Sequence, residues 1–292
     1  MNTLSVSVIV STWNRAEVLK VGLMSLIQQD FDGDYEIIVM DNNSTDDTPS
    51  VVRTIMKGSR VPLRYVVEKN QGLSFARNRG ISESQGDIVA FIDDDARAAP
   101  SWIHNIFVAF HGRRNVGAVG GRILLDWPDV PPPLWLTKEL YPSLGFFDPG
   151  SSEAIEVSDI DLYPHGSNMS FFKPAIAGAN LFDVTTGRRW NSFLAGEEIG
   201  ACRTLQQQGW KIVYTPHAVV YHKVLPHRMT KKYFLDFYRG QGTTFAVVDK
   251  KCGHYFLERM GRYILRLIKS ILLFLKDLRK EDGRFFAYLN II

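Results

Sequence analysis

Short apolar runs that stop at polar turns recur through the first 120 residues, each followed by an apolar periodicity of helical length. Val6 to Val10 leads into Ser11-Thr12-Trp13-Asn14-Arg15 and then into a helix predicted through Leu19, Leu23, Leu26 and Ile27. Ile37 to Met40 leads into Asp41-Asn42-Asn43-Ser44-Thr45-Asp46-Asp47, where Ser44, with Asp47 three residues on, predicts a helix N-cap. Leu63 to Val67 leads into Asn70-Gln71-Gly72-Leu73-Ser74, with Ser74 expected to cap a helix carrying Ala76-Arg77-Asn78. A fourth run, Ile88 to Ile92, is apolar without alternation and ends in Asp93-Asp94-Asp95, as a strand buried on both faces would. Strands alternating with helices imply right-handed crossovers and a parallel sheet, an α/β fold.

In such a sheet the carboxyl ends of the strands share one edge, where ligands bind. Thr12, Asn14, Asp41, Arg77, Asp93, Asp94 and Asp95 all fall at or just past strand ends and so share one rim. Taken singly, each has a plainer reading: turn formers at Thr12 and Asn14, an Asx-turn at Asp41, a solvated helix residue at Arg77. Three adjacent aspartates repel one another unless a cation or hydrogen-bond donors hold them, and oxygen ligands suit Mg2+ or Mn2+. The alternative is a solvated acidic turn, but the joint placement favours a nucleotide site.

The order of these segments resembles a family. Asp-Asn-Asn-Ser-Thr-Asp from position 41, Asn-Gln-Gly-Leu-Ser-Phe-Ala-Arg-Asn-Arg-Gly from 70, and Asp93-Asp94-Asp95 are similar to the signature series of family 2 glycosyltransferases of the GT-A fold, which implies a Rossmann-like α/β architecture with a mixed, mainly parallel sheet flanked by helices. Gly166-Ser167-Asn168-Met169-Ser170, Gly196-Glu197-Glu198-Ile199-Gly200 and Val219-Val220-Tyr221-His222 fit that family's glycine loop, acidic acceptor-side motif and closing strand with its histidine. The resemblance spans residues 4 to 225, and a series in family order is more specific than any one motif.

It implies an inverting, metal-dependent transfer of a sugar from a nucleotide diphosphate donor to a saccharide or lipid-linked acceptor, of the kind used in bacterial polysaccharide and cell-surface glycan synthesis. By the same resemblance, Thr12, Asn14, Asp41 and Arg77 face the nucleoside end, and Asp93 and Asp94 the ribose and diphosphate. Asp95 and His222, with Asp93, hold the metal. Of the acid pair, Glu198 is the base and Glu197 its neighbour. Asp41 can accept a ring N–H, which uracil, thymine and guanine offer, and the resemblance makes UDP the favoured donor, with GDP and dTDP behind it. The chain departs from the family pattern twice: Asn42 stands where a second acid is usual, and Glu198 where the motif usually ends in Asp.

Residues 1–225 are therefore read as the glycosyltransferase domain, with 1–100 the nucleotide half and 101–225 the acceptor half, and 226–292 as a helical segment. Glu197 and Glu198 are expected to precede a helix from Ile199 to Gln208, where the macrodipole alone would favour an acid. Between Asp126 and Gly150 proline and aromatics dominate, predicting a loop that either packs as a surface cover or closes on the acceptor. Leu257 to Leu278 places leucines, isoleucines and a methionine at helical spacing against a basic flank that includes Arg266 and Lys269. A span needs ~20 mostly uncharged residues, so this is an amphipathic helix for an anionic membrane surface or a second subunit.

With 45% apolar residues the chain can bury a large core, and its two cysteines make no disulfide framework. No basic leader precedes the first strand, so a cytoplasmic protein is expected, peripheral on the inner face of the membrane if the amphipathic helix binds there. A net charge of +3 points to no nucleic acid partner. Two other functions remain. A nucleotidyltransferase would call for a lysine- or glycine-rich phosphate loop that Ser11 to Arg15 does not offer, and a catalytically silent binding module is suggested by the Glu at 198.

Overall fold

The computed structural model describes residues 4–179, 182–185, 187, 196–252, 264 and 268. The first half builds β1 (Val6–Thr12), α1 (Ala16–Ile27), β2 (Tyr35–Asp41), α2 (Thr48–Gly58), β3 (Leu63–Val67), α3 (Leu73–Glu83) and β4 (Ile88–Asp93). The second builds β5 (Ala96–Ala98), α4 (Trp102–His111), β6 (Val116–Asp126), β7 (Ile155–Val157), β8 (Asn168–Phe172), α5 (Lys173–Gly178), α6 (Glu197–Gln207), β9 (Lys211–Lys223) and α7 (Lys231–Cys252).

The sheet runs β3-β2-β1-β4-β8-β6-β9-β5, with β7 on β9. Its first four strands are parallel, as the alternation of runs predicts. The second half makes the sheet mixed, as the GT-A resemblance implies: β8 is antiparallel to both β4 and β6, and β5 is antiparallel to β9. Alternate side chains of each central strand enter opposite cores. Val6, Val8 and Val10 pack with Leu19, Leu23 and Trp102, while Ile9, Ile38 and Met40 pack with Ala76, Phe91 and Phe171. Leu19, Leu23 and Leu26 are fully buried, each contributing about 1.5–3 kcal/mol.

Several local expectations give way. α2 begins at Thr48 with no side-chain cap, and the Ser44 hydroxyl instead accepts the Asn14 N–H at 2.9 Å. Ser74 lies inside α3, whose start is set by Gly72 at φ 141°, and its hydroxyl donates to the Asp183 carbonyl. α6 includes Glu197 and Glu198 as its first residues rather than following them. The proline-rich stretch is not without structure: Lys138–Leu144 form a 3-10 helix and Phe147 bridges Ile123. Leu136, Leu140 and Leu144 form a third apolar cluster with Val224, Met229 and Phe234, so the segment is packed as a cover on the start of α7. The amphipathic stripe expected over 257–278 lies outside the described residues except for Ile264 and Ile268, as do residues 188–195 just before the acid pair. No described helix is long and apolar enough to cross a membrane.

The Asn at 42 has a structural reason. Its Nδ2 donates to the carbonyls of Glu68 (3.0 Å) and Asn70 (2.7 Å), and its Oδ1 accepts the Gly72 N–H at 2.8 Å, tying β2 to the entry of α3. A carboxylate has no donor for those carbonyls. Asn42→Asp is expected to lower unfolding free energy by about 1–3 kcal/mol, checked by urea denaturation; equal stability would show that loop 68–72 is held by other contacts.

Candidate active site

Register delivers the rim. Thr12 and Asp41 pair at the carboxyl ends of β1 and β2, and Ser11 faces Asp93 across β1 and β4. The chain turns through Asp94 and Asp95 into β5, whose Ala96 pairs with His222 of β9, so a two-strand contact sets the histidine beside the acids. α1 approaches this turn closely: a Cβ on Gly22 would lie 2.8 Å from the Ala96 carbonyl oxygen.

Each aspartate has its own partners. Asp94 Oδ2 accepts the Thr12 hydroxyl at 2.7 Å. Asp95 Oδ1 lies 3.2 Å from His222 Nε2, and its Oδ2 accepts a hydrogen bond from Arg228 Nη2 at 2.8 Å with Arg15 Nη1 3.9 Å away. Asp93, more open than Asp95, stands 4.0 Å from His222 Nε2 and 3.7 Å from Arg77 Nη2. Burial and the neighbouring Asp95 raise the Asp94 pKa. Burial pushes Asp95 the same way, but His222, Arg228 and Arg15 overcome it and hold its carboxyl far below the ordinary range. Burial works against charge on His222, yet Asp95 and Asp93 leave its pKa raised. Among the described residues the His222 Nδ1 has no hydrogen-bond partner; Gly145, at φ 100°, packs against that edge so closely that a Cβ there would lie 3.1 Å from Nδ1.

Asp93, Asp95 and His222 can each present one ligand atom, all within 4.8 Å of one another. Two carboxylate oxygens and one imidazole nitrogen, two of the three residues buried, suit Mn2+ or Mg2+. The geometry separates Asp94, bonded to Thr12, from this set.

Arg77 is turned inward beneath the acid triplet. It is 3% exposed, its Nη1 donates to Glu197 Oε1 at 2.6 Å and its Nη2 to the Gly166 carbonyl at 3.2 Å, with the guanidinium near the Phe91 and Phe182 rings. It therefore joins the acid triplet to the N-terminus of α6 from beneath. Glu197 is buried in that pair, while Glu198 is half-buried beside it. Burial and the charge of Glu197 push the Glu198 carboxyl well above the ordinary carboxylate range.

At the other end Asp41 is also buried. Its Oδ2 accepts the Tyr65 hydroxyl and its Oδ1 the Ser44 N–H at 2.8 Å. Asn14, in the left-handed region at φ 51°, accepts the Thr45 N–H at 2.8 Å and shapes the turn beside it. Tyr65, Gly145 and Arg228 join the site without a signal in the local sequence. Tyr65 is one aromatic in an edge strand and Arg228 follows a proline in a short turn, so neither sits in a spacing that signals a site.

Over residues 7–152 the chain matches the family described as glycosyl transferase family 2. It is 28% identical over 255 residues to the glucosyl-dolichyl phosphate glucuronosyltransferase of Haloferax volcanii, covering 84% of this chain and 78% of that one. A 91-residue stretch is 43% identical to the GalNAc(5)-diNAcBac-PP-undecaprenol beta-1,3-glucosyltransferase of Campylobacter jejuni, covering 30% of this chain and 29% of that one. Among solved structures, the mannosyltransferase PcManGT from Pyrobaculum calidifontis, in complex with GDP-Man and Mn2+, is similar with a TM-score of 0.61 at 22% identity, over 84% of this chain and 64% of that one. S. aureus TarS 1-349 in complex with UDP-GlcNAc gives 0.58 at 18%, over 81% and 64%. The chain thus spans just under two thirds of each solved relative, and the shared architecture is the GT-A fold.

Proposed function

The chain belongs to glycosyl transferase family 2, and from that premise we propose that it moves a sugar from a nucleotide diphosphate donor to a saccharide or lipid-linked acceptor in one metal-dependent, inverting displacement. The observation that carries this reading is the joint placement of the Asp93, Asp95 and His222 set with the Glu197 and Glu198 pair, linked through Arg77. The named activities of the Haloferax and Campylobacter relatives, on dolichyl and undecaprenyl carriers, support a lipid-linked acceptor. A cytoplasmic enzyme working at the membrane surface fits such an acceptor, with the basic stripe over 257–278 as its contact.

Asp93, Asp95 and His222 would hold a divalent ion, which would supply positive charge against the negative charge that develops on the leaving diphosphate. The protein's own groups do the rest. Glu198 takes the proton of the acceptor hydroxyl as that oxygen attacks the anomeric carbon, and the bond to the diphosphate breaks on the opposite face. Its raised proton affinity suits a base. Glu197 neutralises Arg77, which fixes Asp93 and the Gly166 loop against one another.

Turnover with a panel of sugar nucleotides tests the function directly, and no transfer from any of them would favour a silent binding module. Asp41 retains one lone pair on each oxygen for a ring N–H, which uracil offers and cytosine does not. UDP with Mn2+ should therefore raise the melting temperature more than CDP or ADP does. Asp41→Ala should flatten the ranking, a discrimination of about tenfold in affinity. A larger shift with CDP would remove Asp41 from base reading.

A further inference from the structure

Asp95 is shared between a metal set and a buried guanidinium, and the two demands conflict. Arg228 closes a short 3-10 turn, Pro226–Arg228, whose backbone is held by the Arg228 N–H to Leu225 carbonyl bond at 2.8 Å. The next residue, Met229, is anchored in the third apolar cluster, and the Lys223 N–H bonds the Asp95 carbonyl at 2.9 Å, so the turn is fixed against the acid triplet. Side-chain exposure is 11% for Arg228 and 4% for Asp95, and among the described residues Asp95 is the only carboxylate that pairs with Arg228. Arg15 adds a second positive charge 3.9 Å from the same oxygen.

A divalent cation on Asp95 would share that carboxylate with two guanidinium groups in a poorly solvated place, where like charges repel strongly. A diphosphate removes the conflict, because its oxygens can receive the planar N–H fork of Arg228 while Asp95 turns wholly to the metal. We infer that Arg228 is a diphosphate-binding residue which, in the metal-free protein, is parked on the metal ligand Asp95. Metal and donor diphosphate then bind as one unit, and the free ion binds poorly. The inference rests on the donor-site reading above and adds to it a residue and an order of binding.

The test titrates Mn2+ alone, followed by electron paramagnetic resonance of the free ion, and then UDP or GDP at saturating Mn2+ by calorimetry. Arg228→Met is expected to tighten Mn2+ alone by about fivefold or more and to weaken the nucleotide by about tenfold. A merely structural role for Arg228 would weaken both, and that result, or an unchanged nucleotide affinity, overturns the inference. Arg228→Lys serves if Arg228→Met does not fold. It keeps a charge on Asp95, so free Mn2+ affinity should stay within about twofold while the nucleotide weakens several-fold; undiminished nucleotide affinity overturns the inference. A wild-type protein that binds Mn2+ but neither nucleotide defeats the donor-site reading instead. The Mn2+ arm still decides whether Arg228 holds the ion off Asp95.

Discussion

Glu198→Gln is expected to leave UDP affinity near that of the wild-type protein while lowering sugar transfer by about 10²-fold or more, because a base acts on the acceptor hydroxyl and not on the donor. Calorimetry gives the first quantity and single-turnover transfer the second. Glu197→Gln should behave differently, since that acid neutralises Arg77 under the site: it should lower thermal stability and disturb donor binding as well as rate. If Glu197→Gln is inactive with intact donor binding and Glu198→Gln is active, the base has been assigned to the wrong acid. The charge environment also sets the sign of the pH dependence. Burial and Glu197 raise the Glu198 pKa, a base must be deprotonated to act, and so kcat/KM should rise with pH through a range above that of an ordinary glutamate. A profile flat from pH 5 upward would place the rate-determining proton acceptor elsewhere.

Asp95→Asn is expected to abolish the effect of Mn2+ on UDP affinity while the protein still folds. Asn keeps an oxygen to accept from Arg228 but offers the metal a neutral ligand. Asp95→Ala should be worse for the fold. It leaves the buried Arg228 and His222 without their carboxylate, and removing one partner of a buried pair costs about 3–5 kcal/mol. Titrating UDP with and without Mn2+, together with a melting curve of each variant, separates the two effects. A folded Asp95→Asn protein whose UDP affinity still depends on Mn2+ would end the metal role of this residue. The acid triplet sits at the sheet rim, as its position after a strand implies, but Asp95 is not solvated there: it is a buried hub of charge.

The parallel half of the fold could be read from local pattern. Ile37 to Met40 and Ile88 to Ile92 are apolar without alternation because both faces of a central strand are covered, and the polar residues that follow them mark strand ends. The antiparallel β8 and β5 left no such mark, since their direction depends on partners far along the chain. Ser44 and Ser74 do not cap helices, because their hydroxyls are engaged by the Asn14 N–H and the Asp183 carbonyl instead.

What the sequence determined by itself was the set of chemical groups and the strand ends that carry them, because hydrophobic period and turn chemistry act over a few residues. It put Thr12, Asp41 and Asp93 on one rim. Only the tertiary structure decided which of those groups meet. Arg77 reaches Glu197 across 120 positions of sequence, Arg228 reaches Asp95 across 133, and His222 comes beside Asp95 through the pairing of β5 with β9. Coulomb forces and desolvation depend on distance in space and on cover by other elements. The buried state of Asp41, the inward turn of Arg77 and the unlike surroundings of Glu197 and Glu198 therefore follow from packing that no local spacing encodes.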